Sequence, residues 1–158
     1  MIMDERGEFA DNVSVAASAG TALIGDVIDL GSTTSDIGNG EQLYLVIKTG
    51  ATAIITSGSA GTVRFQLASD AAAAIATDGS ASVHFDTSTI ATGATGTGKT
   101  AAGANIAMVA LPLGTYERYL GILCITATTT TTAGTIDAFI TKDPSKWLAL
   151  PDAAGASL

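Results

Sequence analysis

The stretch from Tyr116 to Thr141, YERYLGILCITATTTTTAGTIDAFIT, limits the possible folds more than any other part of the chain. Val, Ile and Thr lose χ1 freedom against the preceding turn of a helix but fit a pleated sheet, so a run this rich in them predicts strands. The first strand, over 116–128, places Leu120, Ile122 and Cys124 on one face and Tyr119, Leu123 and Ile125 on the other. The second, over 135–141, sets Ile136, Ala138 and Ile140 against Asp137, Phe139 and Thr141. A threonine tract and an Ala-Gly turn separate them, so the two are expected to pair as a β-hairpin with at least one buried face.

The same grammar runs through the rest of the chain. Leu43 to Thr49 (LYLVIKT) is apolar on both faces and predicts a central strand. Thr62 to Leu67 alternates cleanly, with Val63, Phe65 and Leu67 inward and Arg64 and Gln66 outward. Ser82 to Asp86 and Asn105 to Leu111 read as further strands, with shorter candidates at Val13 to Ala17, Val27 to Leu30 and Ala53 to Thr56. Four alanines within SDAAAAIATDGSA suggest one helical turn, stopped by Asp78-Gly79. About eight or nine short strands with turn chemistry between them indicate an all-β sandwich or barrel, and a jelly roll of two four-stranded sheets fits that count best. The expected organisation is an N-terminal arm over 1–12, a jelly-roll domain over 13–150 and a tail over 151–158.

Composition excludes several classes. Only 14% of residues are charged, and the net charge of −8 leaves no clustered Lys or Arg for a nucleic-acid phosphate backbone, so no nucleic-acid partner is expected. No stretch approaches the roughly 20 apolar residues of a membrane-spanning helix, and the acidic MIMDERGEFADN lacks the apolar region of a secretory leader. Cys124 has no second cysteine to pair with, and its place in an apolar strand reads as a small buried hydrophobe.

One segment imitates chemistry. Gly93 to Thr100 reads GATGTGKT, matching the phosphate-binding pattern G-x-x-x-x-G-K-[ST], in which Gly93 and Gly98 shape the loop. Lys99 would then reach phosphate oxygens and Thr100 would hold Mg²⁺. Such a loop must follow a buried parallel strand and open a helix. The polar FDTSTIAT before it and the Gly103 and Pro112 after it supply neither, and no apolar run ending in Asp follows. The segment is read as an inter-strand loop, and no cofactor is expected.

Other constellations are thinner. His84 is the single histidine, which excludes a multi-histidine metal site, and its default position is exposed or at a rim. Asp26, Asp29 and Asp36 lie in a turn-rich segment without the spacing of a calcium loop, and no G-x-S-x-G elbow is present. No catalytic residue and no metal ligand is expected. Tyr116 and Tyr119 flank Glu117-Arg118, and their hydroxyls are expected at the edge of the core. Met3, Arg6, Phe9, Arg118 and Trp147 are the candidate interface residues, because aromatic and arginine side chains anchor protein contacts.

The blocks VIDLG (27–31), DIGNGEQLYLVI (36–47), VRFQLASD (63–70), LPLGTYERYLGILCITAT (111–128) and AGTIDAFITKD (133–143) resemble the capsid cement, or decoration, proteins of tailed bacteriophages, in particular the jelly-roll type of podophage heads. The resemblance implies a non-enzymatic virion protein, made in the host bacterial cytoplasm, that binds the outer capsid surface as a dimer or trimer and clamps neighbouring major capsid protein subunits. It assigns no individual contact residues. Two other readings stand beside it: a β-sandwich module binding carbohydrate or a receptor, and a P-loop NTPase.

Overall fold

The computed structural model describes residues 5–35, 37 and 40–144. Met3 and Trp147, two of the interface candidates, lie outside the described residues, as does Asp36. The chain folds into two antiparallel sheets. The first runs β1 (Glu8–Ser14), β11 (Thr135–Thr141), β3 (Tyr44–Thr49), β8 (Asn105–Ala110). The second runs β2 (Gly20–Ser35), β9 (Tyr116–Ala127), β5 (Thr62–Asp70), β6 (Ser82–Asp86), with the short β7 (Ile90–Ala91) also on β5. A two-stranded ribbon of β4 (Ile55–Thr56) and β10 (Thr131–Ala133) joins the loops at one end.

The pairing is nested. Counting the eight main strands in chain order, the first pairs with the eighth, the second with the seventh, the third with the sixth and the fourth with the fifth. Folding that nested ribbon over itself brings β11 onto β3 and β9 onto β5, which closes the two sheets of a jelly roll. The all-β sandwich read from the sequence is the observed fold.

The alternation of side chains holds strand by strand. Leu120, Ile122 and Cys124 of β9 and Val63, Phe65 and Leu67 of β5 face Leu45 and Ile47 of β3 and Ile136 and Ala138 of β11, and none is more than 2% exposed. Removing each of these larger side chains from water contributes roughly 1.5–3 kcal/mol, which makes this inter-sheet layer the main source of stability.

The expected hairpin is not formed. β9 and β11 lie in opposite sheets, and residues 128–134 cross between them, with β10 pairing to β4 on the way. Both strands carry apolar side chains on both faces, and each is flanked on both edges: β9 by β2 and β5, β11 by β1 and β3. Two such strands are more fully buried as the centres of separate sheets than as partners in one.

The arm boundary also moves. β1 begins at Glu8, and Phe9 and Ala10 are 1% and 2% exposed in the core, so residues 8–12 belong to the sandwich. Phe9 is therefore a core residue and not an interface candidate. β2 crosses so close to β1 that a Cβ on Gly25 would sit 2.0 Å from the Phe9 carbonyl oxygen, and its φ of +67° is one that favours glycine. Residues 71–74 form bends rather than the suggested helical turn.

The two ends of the sandwich differ in chemistry. At the end carrying β4 and β10, buried Thr56, Thr92, Thr126 and Thr131 replace apolar side chains. The Thr56 and Thr92 hydroxyls are 2.9 Å apart, with the carbonyls of Gly58 and Gly61 at 2.8 and 2.9 Å, so two protons serve three short contacts. At the opposite end lie the 71–81 loop and the turn 111–115, where Leu113 is 79% exposed.

Candidate functional site

The phosphate-loop motif is the first test. Gly93 to Thr100 follows the two-residue β7 and ends in a three-residue 3₁₀ turn, Gly98–Thr100, instead of opening a helix. Its backbone is tied to the neighbouring 49–56 segment: the Gly93 carbonyl accepts from Thr56 N–H, the Thr100 carbonyl from Ile54 N–H, and the Lys99 carbonyl from the Thr49 hydroxyl. Thr100 is fully buried and its hydroxyl donates to the Thr97 carbonyl at 2.9 Å, while Lys99 is exposed. The strand–loop–helix geometry that gathers amides and a lysine around phosphates is not the geometry of this segment.

His84, expected exposed or at a rim, lies half-buried on the edge strand β6. A register shift between β5 and β6 at Leu67/Ala68 turns its ring against Tyr116, with centroids 4.2 Å apart. Nε2 lies 2.7 Å from Ser69 Oγ, within hydrogen-bond distance, and the same Oγ accepts from Glu117 N–H at 3.1 Å. Burial holds the His84 pKa below the ordinary value, against a smaller opposing pull from Glu117. A serine–histidine contact suggests nucleophilic catalysis, but Ser69 is 0% exposed and no substrate can reach it. Tyr116 is likewise fully buried, its hydroxyl donating to the Pro112 carbonyl. These groups lock the turn 111–115 to the core.

Of the remaining candidates, the structure brings Arg118 and Asp29 together. Arg118 closes both arms of its guanidinium on Asp29, each at 2.9 Å, and lies 5.0 Å from the Tyr119 ring centre. Those hydrogen bonds, with one from Gly31 N–H, hold the Asp29 carboxyl down at about 2. Asp26 and Arg6 are exposed. Burial pushes the Cys124 thiol up to about 11, which keeps it unreactive at neutral pH. Among the described residues, no group of three or more His, Cys, Asp and Glu is placed to hold a metal ion, and no helix is long and apolar enough to cross a membrane.

A concave surface that sequence reading did not single out lies on the outer face of the β2–β9–β5–β6 sheet. Loop 71–81 folds back over that face and is pinned by Ile75, which is 3% exposed and packs with Leu123 and Ala68. Gly121 makes this possible, since a Cβ there would sit 2.7 Å from Ile75 Cδ1 and 3.0 Å from Leu23 Cδ1. Asp70 stiffens the loop by accepting from Ala72 N–H at 3.1 Å and Ala76 N–H at 2.9 Å. At the foot of this ledge runs a groove of about 350 Å³ lined by Arg64, Gln66, Ala81, Val83, Leu123 and Ile125, among others. Two signals for it were present in the sequence: apolar residues at both parities of β9, which call for a cover outside the sandwich, and a lone isoleucine in an alanine-rich loop.

Fold and surface together define a jelly-roll β-sandwich with an apolar core and a single-loop ledge on one outer face. The Bbp16 family model matches residues 9–140, nearly the whole sandwich, and the chain belongs to that family. No curated protein matches the chain.

Proposed function

We propose that this protein is a structural tile of a phage virion, binding the outer surface of the capsid and cementing neighbouring major capsid protein subunits without catalysing a reaction. The observation that supports this most is where the cement-protein blocks fall. In order, they reach into β2, β3, β5, β9 and β11, along with the 111–115 turn, so the resemblance spans five of the eight main strands. Bbp16 membership over the same span is consistent with it.

The physics of such a role is mass action. A protein that binds the assembled lattice and not free subunits raises the free energy of disassembly by its binding free energy, and many modest contacts add up through multivalency. The weakly charged, acidic surface suits contact with protein and disfavours adhesion to DNA. Self-association as a dimer or trimer belongs to the same proposal.

Co-sedimentation with expanded shells lacking the protein tests the reading. Saturable binding and a raised shell melting temperature are expected, and protein that stays in the supernatant at all concentrations sinks it. Light scattering of the free protein measures its oligomeric state.

A further inference from the structure

The groove at the foot of the 71–81 ledge has a chemistry that narrows what it can hold. Its floor is built in rows across the sheet, Thr21–Ile125–Arg64 and Leu23–Leu123–Gln66. The ledge covers part of the second row and leaves the first open, with Val83 49% exposed beside it. Arg64 is the basic residue in this concavity. Its Nε lies 3.5 Å from Asp86 Oδ2, but that oxygen already accepts from Gln66 Nε2 at 2.7 Å, and Asp86 Oδ1 accepts from Ser88 N–H at 2.8 Å. The terminal nitrogens of Arg64 have no hydrogen bond among the described residues, whereas Arg118 is closed on Asp29 and Lys142 on Glu41.

A half-engaged guanidinium fork above an aliphatic floor matches a carboxylate with an aliphatic neighbour. The lining has no aromatic ring on which a sugar could stack, and Asp78 at the rim is engaged within its own loop, its Oδ1 accepting from Ser80 N–H at 3.0 Å and Ser80 Oγ at 2.7 Å. We infer that this groove docks a polypeptide segment presenting an acidic side chain next to a Leu-, Ile- or Val-like one. The inference rests on the shell-binding reading, under which the segment belongs to the shell protein, and it makes the outer face of the β2–β9–β5–β6 sheet the face that meets the capsid.

The test is the same co-sedimentation with shells lacking the protein, now comparing variants that melt like the parent. Arg64→Glu is expected to weaken binding by roughly tenfold or more, with Arg64→Lys intermediate because it keeps the charge and loses the fork. Val83→Ser weakens it less. Lys99→Glu makes the same charge change on an exposed loop outside the groove and leaves binding unaltered. If the parent binds and Arg64→Glu and Val83→Ser bind equally well, the groove is not the docking surface and the function stands. If the parent itself does not bind, the functional reading falls, and this inference falls with it.

Discussion

The β2–β9–β5–β6 sheet has two faces made from the same strands, and they meet different fates. On β9, Leu120, Ile122 and Cys124 face inward and are sealed by a second sheet assembled from distant parts of the chain. Leu123 and Ile125, of similar hydropathy, face outward, where only a loop attached to β5 reaches over them. A sheet seals a face completely. A loop covers part of it and leaves a margin, and that margin is where the groove lies. An apolar strand therefore marks a need for cover on both sides, while the kind of cover determines whether a binding surface remains.

The comparison can be broken by mutation. Phe65→Ala, on the sealed face, is expected to cost about 3–5 kcal/mol in urea unfolding. An equal loss from Leu123→Ala would erase the distinction between the faces. Gly121→Val forces side chains apart beneath the ledge and is expected to cost about 1–3 kcal/mol. Its signature is faster amide exchange at Ala72 and Ala76, the two amides held by Asp70, with the inner strands still protected.

A smaller effect is tied to pH. His84 is held neutral by burial, so the unfolded chain takes up a proton more readily than the folded one. Stability is complete above the ordinary value of 6.5 and declines as pH falls below it. His84→Gln, which keeps a hydrogen-bonding partner for Ser69, should flatten that decline; an unchanged pH profile would remove His84 from the account. Asp29 acts in a separate window, its contribution present above 3.8 and lost as pH falls toward 2. The smallest effect is at Arg118. Its ion pair with Asp29 is open to solvent, so Arg118→Ala is expected to lower the melting temperature at neutral pH only slightly, and less than any variant above.

Much of this fold is legible residue by residue. Alternation alone places Val63, Phe65 and Leu67 inside, Arg64 and Gln66 outside, and marks Leu43 to Thr49 as central. Pairing is less legible, because an apolar strand does not state its neighbour. β9 and β11 look like a hairpin until both are seen to need two flanking strands. In β2 only Val27 to Leu30 shows a strand pattern, since Gly25 and Gly31 interrupt it while the backbone runs on through register shifts. The hydroxyl contacts of Thr56 and Thr92 join residues 36 positions apart, and such proximity leaves no local trace. The groove is half visible in sequence: alternation puts Arg64 and Gln66 of its wall on the outer face, but the alanines of its ledge suggest a helical turn where the chain bends around Ile75.

The nested pairing sets the order in which the molecule can be made. Glu8 lies opposite Phe139, so β1 waits for β11, made about 130 residues later, before its sheet can form. The sandwich closes only after β11 has been made, and such long-range closure belongs to the slow millisecond-to-second class. Until β11 arrives, β1 and β3 each expose an unpaired edge, and a chain stopped short of residue 135 is a template for aggregation.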